Sequence, residues 1–218
     1  MGQLKLYRSA GPNPRVVVMF ALEKGLNLEI VEVDMISGEN RQDAFLKINP
    51  AGTLPALALG DGTIIGDIVA ICEYLDEKFP EPNLVGKTAE ERAVTRMWSR
   101  RVDLKISEPM AFAVHAGEAF ELFKGRMRLF PYAVEDLYAY ANDGLRWFDA
   151  QMKGRNFIAG DRISLADINL FGHIDYFSHS GRPIPADCTN LLAWHNRMSA
   201  RASAAASLHP MEAAMRGQ

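Results

Sequence analysis

The sequence predicts an α/β domain followed by an all-helical domain. Strand and helix patterns alternate over the first 80 residues, and strand patterns disappear after residue 87. Between these regions, the segment Phe79-Pro80-Glu81-Pro82-Asn83 contains two prolines that interrupt the preceding helical pattern. We therefore expect domains over residues 1–79 and 88–218, joined by a linker over residues 80–87.

The elements of the first domain are predicted in the order strand, helix, strand, loop, strand, hairpin, helix. Asn13 and Pro14 fit the N-cap and first position of a helix that Gly25 ends. The Gly60-Asp61-Gly62 segment is typical of a hairpin turn. The predicted strands are 4–7, 28–33, 55–59 and 63–65, the predicted helices are 15–24 and 67–78, and residues 41–47 predict a short helix or a turn.

Four long helices and a weak terminal helix are predicted in the second domain. Thr88 with Glu91 and Ser164 with Asp167 fit capping boxes, and Pro109 predicts a kink or break. The Ala/Ser-rich tail after residue 200 predicts a weak helix that frays. The four long helices are predicted over 88–123, 132–152, 164–177 and 189–200.

The composition argues against several classes of protein. With 24 Lys+Arg, 27 Asp+Glu and a net charge of −3, the chain lacks the basic balance that nucleic-acid binding favours. Its two cysteines, Cys72 and Cys188, cannot form a disulfide scaffold for 218 residues and favour a reducing compartment. The first eight residues lack the apolar region of a secretory signal, and no segment approaches the ~18 apolar residues of a membrane span. We expect a cytoplasmic protein that binds neither nucleic acid nor membrane.

Four separated motifs resemble those of the cytosolic glutathione transferases, and they occur in the same order. The resemblance extends over roughly the whole chain. It implies a thioredoxin-like first domain that binds glutathione as co-substrate, a helical second domain that holds a small apolar electrophile, a homodimer, and no metal. The motifs are Asn49–Leu57, the helix start Asp67-Ile68-Val69-Ala70-Ile71, the proline linker, and Gly160–Ile168.

Within that family the chain is most similar to a fungal and bacterial class whose members lack the usual catalytic Tyr, Ser or Cys. Gly38-Glu39-Asn40 ahead of Phe45-Leu46 supports this subclass, as does the Gly86-Lys87-Thr88 segment. Pro109 and His115 on the first long helix of the second domain are the remaining grounds.

Pro55 has two interpretations. Only ~5–6% of X-Pro bonds in folded proteins are cis, so by itself Pro55 is a trans proline that opens a strand. The resemblance implies instead a cis bond, with the N–H and C=O of Leu54 turned toward the cysteinyl part of glutathione. Main-chain pairing would then replace recognition by side chains.

Asp67 also has two interpretations, which can share the same carboxylate. A helix-opening Asp accepts hydrogen bonds from the first free N–H groups and needs no ligand for that role. The resemblance implies that it also faces the α-amino group of the γ-glutamyl moiety. The family usually has Glu followed by Ser here, so Ile68 leaves only its backbone N–H for the γ-glutamyl carboxylate.

Asn40 and Thr53 are weaker candidates for the same site. The resemblance places Asn40 at the glycine end of glutathione, but an Asn after Gly-Glu is also ordinary turn chemistry. Thr53 either contacts the ligand or fills a position in the loop.

Activation of the thiol has three candidate sources. One is the N-terminus of the helix after Asn13-Pro14, whose dipole favours an anion. The second is a hydroxyl near the first loop, from Tyr7 or Ser9, although Tyr7 ends a strand and is better explained as a packed strand residue. The third is the imidazole of His115, which would take the thiol proton directly or through water. The position that carries the hydroxyl or thiol in the Ser-type classes holds Ala10 or Gly11.

The leading hypothesis is therefore a glutathione transferase that conjugates the thiol to an apolar electrophile, as in detoxification. Neither cysteine lies in the first loop, which disfavours mixed-disulfide chemistry. The alternatives are a non-catalytic, glutathione-transferase-like binding or scaffold protein, and a glutathione-dependent lyase, isomerase, dehalogenase or peroxidase. Side chains that either line the electrophile pocket or form helix core are Met110, Phe112, Phe120 and Phe123.

Overall fold

The computed structural model describes residues 4–217, which divide into two compact units. The first contains residues 4–87 together with 201–217, and the second contains Thr88–Ala200. The prediction of a mixed α/β region followed by helices is confirmed. Residues 1–3, part of the segment searched for a secretory signal, lie outside the described residues, as does residue 218.

A four-stranded mixed sheet forms the centre of the first unit. Its strands are β1 (Lys5–Arg8), β2 (Glu29–Glu32), β3 (Ala56–Ala58) and β4 (Ile64–Ile65), in the spatial order β2-β1-β3-β4. β1 runs parallel to β2 and antiparallel to β3, and β3 pairs antiparallel with β4. The parallel β1–β2 pair needs a crossover connection, which α1 (Pro12–Glu23) supplies.

The spacing of Ile68, Ile71, Cys72 and Leu75 at i, i+3, i+4 and i+7 predicts one buried apolar stripe on the helix α3 (Ile68–Lys78). Ile71, Cys72 and Leu75 are buried, and Ile68 in the first turn is half-buried. The short α2 (Asp43–Leu46) lies within the helix or turn predicted over 41–47, and a 3₁₀ turn over Glu39–Arg41 precedes it.

The start of α1 differs from the prediction. The helix begins at Pro12, and Gly11 is its N-cap, so Asn13 is inside the helix. Gly11 has a φ of 136°, a conformation that favours glycine, and it cannot supply a side-chain cap. The Asn-Pro pair correctly predicted a helix start, but it placed that start two residues too late, because Pro12 also fits the first helical position.

The C-terminal tail does not follow the prediction of a frayed helix in an 88–218 domain. Residues 201–217 group with the first unit and form α10 (Ala202–Ala206) and α11 (Pro210–Met215). Arg201 makes a bidentate ion pair with Glu23 at 2.7 Å for each N–O pair, and Ser203 donates to the same carboxylate. Arg15 donates to the carbonyl of Ala204 at 3.1 Å. These contacts to α1 supply the stability that the tail's own sequence lacks.

The second unit is helical throughout the named elements that it contains. They are α4 (Ala89–Val102), α5 (Glu108–Ala116), α6 (Phe120–Phe123), α7 (Val134–Met152), α8 (Leu165–His179) and α9 (Thr189–Ser199), with a 3₁₀ turn over Pro131–Ala133. The long helix predicted to Phe123 is interrupted by a π-helical turn over Asp103–Ser107. Pro109 lies just after this turn, in the first turn of α5, where a missing N–H is tolerated.

The predicted capping box of α8 is present. The carboxylate of Asp167 accepts the Ser164 N–H at 3.0 Å and the Ser164 hydroxyl at 2.7 Å. It also accepts the N–H of Ile158 at 2.9 Å and the indole N–H of Trp194 at 3.1 Å. Complete burial raises the pKa of Asp167 to about 6 despite these donors. At α4, Thr88 accepts the N–H of Glu91 at 3.2 Å. Among residues 4–217, no helix is long and apolar enough to cross a membrane.

Candidate functional site

The turn that leads into β3 contains main-chain N–H and C=O groups that form no hydrogen bonds with the described residues. The Leu54–Pro55 peptide bond is cis, as the resemblance implies. Leu54 is half-buried, lies outside the sheet, and forms no backbone hydrogen bond with any described residue. Buried or half-buried N–H and C=O groups are ordinarily paired. The Leu54 main chain is therefore available to pair with an extended ligand.

The N-terminus of α3 offers a second set of unpaired groups. Asp67 is the N-cap, and its Oδ1 accepts the N–H groups of Val69 at 2.9 Å and Ala70 at 3.0 Å. Its Oδ2 has no partner within the described part of the chain, and neither has the N–H of Ile68. Both interpretations of Asp67 are thus compatible, because one oxygen caps the helix and the other remains for a ligand cation.

Asn49 holds these two segments beside each other. Its Nδ2 donates to the carbonyl of Thr53 at 2.8 Å and its Oδ1 accepts the N–H of Ala51 at 3.3 Å. The same side chain packs against Gly66, where a Cβ would lie only 3.1 Å from Nδ2. Because Gly66 precedes Asp67 and Thr53 precedes Leu54, Asn49 brings the unpaired groups of both segments to one place. Asn49 stood in a recognised motif, but nothing in its local sequence indicated this bridging role.

Asn40 fixes the turn at Gly52. Its Nδ2 donates to the Gly52 carbonyl at 2.7 Å, and its Oδ1 is buried without a partner in the described residues. Asn40 is 4% exposed, whereas Thr53 is exposed and its hydroxyl lies 3.3 Å from Asn49 Nδ2. The structure thus places Asn40 as a support of the Gly52–Thr53 turn and Thr53 on the accessible side of it.

The loop between β1 and α1 contains Ser9 and the start of the helix. Ser9 is 7% exposed, and its hydroxyl donates to the carbonyl of Ala10 at 3.2 Å. The N–H of Gly11 donates to Glu212 Oε1 at 2.6 Å, although the two residues are 201 positions apart. Sequence reasoning missed Glu212, because no local pattern links the tail to the start of α1.

His115 belongs to the second unit, where it lies near the end of α5. Its ring stacks on that of Phe123 with 3.9 Å between centroids, and its Nδ1 is buried with no hydrogen-bond partner among the described residues. Burial lowers the pKa of His115, which favours the neutral imidazole. Among the other proposed pocket residues, Met110 is core and Phe112 is 40% exposed.

The cysteines are placed as structural residues. Cys72 is completely buried in α3, and burial raises the pKa of its thiol well above the ordinary value. Cys188 is also buried, and desolvation raises its pKa. Within residues 4–217, no group of His, Cys, Asp and Glu side chains has an arrangement that could hold a metal ion.

The first unit combines a mixed sheet, a cis-proline turn and the capped α3, and a helical unit follows it. This combination defines a thioredoxin-like protein with an all-helical second domain. Residues 10–78 match the family model for the glutathione S-transferase N-terminal domain, and residues 131–197 match that for the C-terminal domain. The chain belongs to the glutathione S-transferase family.

Individual relatives cover most of the chain. It is 31% identical to glutathione S-transferase 2 of Saccharomyces cerevisiae, over 89% of this chain and 84% of the relative. The crystal structure of Gtt2 from Saccharomyces cerevisiae superposes with a TM-score of 0.87 and 30% identity, over 94% of this chain and 100% of that one. A maleylacetoacetate isomerase of Pseudomonas aeruginosa is 30% identical over 75% of each chain. The family therefore includes relatives that are named for different reactions.

Proposed function

We propose that this chain binds glutathione and conjugates its thiol to a small apolar electrophile. The observation that carries the proposal is the set of unpaired groups in the first unit: the N–H and C=O of Leu54, Oδ2 of Asp67 and the N–H of Ile68. Asn49 holds them together, and none has an internal partner within the described residues. A short peptide with a free amino group next to a carboxylate satisfies such a set.

Each unpaired group matches a part of glutathione. The Leu54 main chain pairs with the cysteinyl residue in the manner of an added strand. Oδ2 of Asp67 accepts the α-ammonium of the γ-glutamyl moiety, and the Ile68 N–H donates to its carboxylate at the positive end of α3. Pro55 shapes the turn that presents Leu54. Asn40, which the resemblance assigns to the glycine end of glutathione, supports this turn through its bond to Gly52, and Thr53 is exposed beside Leu54 for contact with the ligand.

The thiol has to be activated for conjugation. At a pKa of ~8.5, only ~3% of a free thiol is ionised at pH 7. The enzyme belongs, in this proposal, to the class without a catalytic Tyr, Ser or Cys. Neutral His115, with Nδ1 unused, accepts the thiol proton directly or through water, and the N-terminus of α1 stabilises the thiolate. Ser9 is the alternative, although its hydrogen already faces the Ala10 carbonyl.

In the conjugation itself, the thiolate sulfur forms a bond to an electrophilic carbon, and the leaving group departs with the bonding electrons. The helical second unit would hold the apolar electrophile. The isomerase among the relatives favours one further candidate, in which the thiolate adds to the substrate and is later expelled. We also propose that the protein is a cytoplasmic homodimer that acts in detoxification and needs no metal.

Replacing Asp67 by Asn tests the binding site. Asn is as good an N-cap as Asp, so D67N keeps the cap of α3 and removes the charge. We expect near-native stability in urea and at least about tenfold weaker glutathione binding by calorimetry, since charge-assisted bonds contribute about 1.5–3 kcal/mol.

The matched control is D61N, because Asp61 is an exposed turn carboxylate that likewise accepts a backbone N–H, from Thr63 at 2.9 Å. D61N should bind glutathione like the wild type. A wild-type protein that does not bind glutathione, or a D67N variant with unchanged affinity, would contradict the proposed site. Absence of binding would favour the scaffold alternative.

Activation is tested with H115A and S9A, measured separately. H115A should lower the turnover number and raise the apparent pKa of bound thiol, which ultraviolet thiolate absorbance reports. Wild-type rates in both variants would remove both residues from the mechanism. Equal activity toward an aryl halide and a hydroperoxide would extend the proposal from conjugation to peroxide reduction.

A further inference from the structure

The start of α1 is already occupied by a carboxylate of the same chain. Oε1 of Glu212 accepts the N–H of Gly11 at 2.6 Å, so a carboxylate is in direct contact with this donor. Glu212 is 6% exposed, and its Oε2 is buried without a hydrogen-bond partner in the part of the chain that the structure describes. A buried carboxylate with one unused oxygen is costly, so the position that holds it must favour an anion.

The local geometry of α1 explains this preference. A helix of 12 residues has a partial positive charge at its N-terminus, and no side-chain cap neutralises it here. Pro12 and Pro14 have no N–H, so the donors at this end are few, and Gly11 supplies one of them. Gly11 itself is favoured here by its φ of 136°, because the space around its Cβ position is open.

The tail that carries Glu212 is attached to the rest of the first unit at two places, and both precede Glu212 in the sequence. On the N-terminal side, the Arg201–Glu23 pair and the bond from Arg15 to the Ala204 carbonyl anchor α10. Beside α11, Nε2 of His209 lies 2.9 Å from Oε2 of Glu32. Its Nδ1 accepts the N–H of Met211 at the start of α11. We call residues 201–217 the C-terminal strap.

We propose that Glu212 is a built-in occupant of the position that the glutathione thiolate takes, and that the C-terminal strap must release this carboxylate for the thiolate to form. This inference rests on the proposed function, which places the thiolate at the N-terminus of α1. Two anions cannot share one donor and one helix end without mutual repulsion. The strap therefore reduces the apparent affinity for glutathione by the fraction of molecules in which it is closed.

The first variant is E212Q. Glutamine keeps the volume and an oxygen that accepts the Gly11 N–H, and it removes the charge. The readouts are the glutathione dissociation constant by calorimetry and the apparent pKa of the bound thiol by ultraviolet absorbance. We expect about tenfold tighter binding above the thiol pKa and a fall in that pKa by about one unit, since one unit corresponds to a factor of ten. The matched control is E77Q, because Glu77 is exposed near the end of α3 and the change in net charge is the same.

A second probe distinguishes an effect of the thiolate charge from an effect of side-chain volume at residue 212. S-Methylglutathione has the same peptide but cannot form a thiolate, so E212Q should change its affinity much less than that of glutathione. A chain that ends at His209, which lacks α11 but keeps the anchors of α10, should bind glutathione as tightly as E212Q. In the wild type, backbone amides of α11 should exchange hydrogen faster when glutathione is bound.

Several results would overturn the inference. If E212Q weakened glutathione binding and raised the thiol pKa, Glu212 would be the proton acceptor and not a competitor. If E212Q and the shortened chain both bound like the wild type, the contact would be structural. An equal gain for S-methylglutathione would contradict competition between two anions.

These failures are distinguishable from failure of the proposed function. Wild-type binding that is sensitive to D67N but not to E212Q would remove only the inference. Absence of glutathione binding in the wild type, E212Q and the shortened chain would remove the proposed function. Binding that appears only in E212Q and the shortened chain would support both.

Discussion

At the scale of single residues, Gly52 determines whether the ligand-facing turn can form. It has a φ of +62°, and a Cβ would lie 3.0 Å from the Asn40 carbonyl oxygen and 3.2 Å from Leu46 Cδ2. We expect G52A to lower the free energy of unfolding by about 2–5 kcal/mol, since a left-handed backbone costs about 1–2 kcal/mol and overpacking about 1–3 kcal/mol. Urea denaturation measures the loss, and calorimetry should show weaker glutathione binding.

Gly25 provides the matched control. It has a nearly equal φ of +67°, but nothing lies within 4 Å of its Cβ position. G25A should therefore cost only the backbone contribution of about 1–2 kcal/mol and leave glutathione binding unchanged. Equal losses in G25A and G52A would show that crowding at the turn is unimportant.

Another single residue, His173, makes stability depend on pH. Complete burial lowers its pKa to about 4, against the raising effect of its hydrogen bond to the Asn169 carbonyl. Between about pH 4 and 6.5 the unfolded chain therefore binds more protons than the folded protein does. The contribution of neutral His173 to the free energy of unfolding is complete above pH 6.5 and is lost as the pH falls toward 4. Between pH 7 and pH 5 the loss is about 2 kcal/mol.

Asp167 changes the stability with pH in the opposite direction over part of the same pH range. Its folded pKa of about 6 lies above the ordinary value of 3.8, so its contribution to stability is lost as the pH rises through 4 to 6. Comparison of the wild type with H173Q isolates His173, because Asp167 is common to both proteins. Urea denaturation at pH 7 and pH 5 should show a smaller stability advantage of the wild type at pH 5. A pH-independent difference would exclude this role of His173.

At the scale of elements, one buried ion pair attaches the proline linker to the first unit. Nζ of Lys24, at the end of α1, lies 2.8 Å from Asp76 Oδ1 and 2.7 Å from the Pro82 carbonyl. Asp76 also accepts the N–H groups of Leu84 at 2.9 Å and Val85 at 3.3 Å. Both side chains are almost completely buried, so the linker is ordered by specific hydrogen bonds.

This arrangement predicts unequal costs for the two partners. D76A leaves the Lys24 ammonium buried without its counter-ion and should cost about 3–5 kcal/mol. K24M leaves Asp76 with three N–H donors, the Asn83 side chain at 2.9 Å and the two backbone groups, and should cost less, about 1–3 kcal/mol. The double variant should be more stable than D76A alone, because no unpaired charge remains. Urea denaturation of the three variants tests this order, which additive losses would contradict.

The predicted elements of both units show which features of the fold local sequence patterns can predict. The β-hairpin, the α3 stripe and cap, and the Ser164–Asp167 box were predicted because each depends on residues within one or two turns. A break at Pro109 was also predicted, but the π-helical turn over Asp103–Ser107 was not. At that turn, Gly144 of α7 lets the helix backbone approach the Lys105 carbonyl so closely that a Cβ would clash. The start of α1 was predicted two residues late, and the distant Glu212 binds its N-cap Gly11.

At the scale of the whole molecule, the proposed homodimer needs an apolar surface. Val94, Met97 and Leu104 follow one another at spacings of three and seven, and they are 38%, 40% and 46% exposed. We expect sedimentation of the wild type at about 48 kDa, twice the chain mass of 24.2 kDa. M97E should shift the protein toward 24.2 kDa, because it places a charge in an apolar interface.

Tyr140 supplies the control for this change. It is 52% exposed on α7, so Y140E also introduces a glutamate at an exposed aromatic position. Y140E should remain dimeric. A monomeric wild type would contradict the dimer proposal, and a dimeric M97E would place the interface elsewhere.

The sequence by itself determined the order of the elements, the two-part architecture, and Asp67 as a helix cap. These depend on periodicity, caps and turns, which are encoded by neighbouring residues. The family and the ligand role of Asp67 were predicted from the resemblance of the motifs. Only the tertiary structure decided that the Leu54 main chain and the second oxygen of Asp67 remain unpaired, and that Asn49 brings them together. It also decided that the tail returns to α1, where Glu212 meets Gly11 across 201 positions of sequence. Such contacts are set by the packing of whole elements and have no local signature.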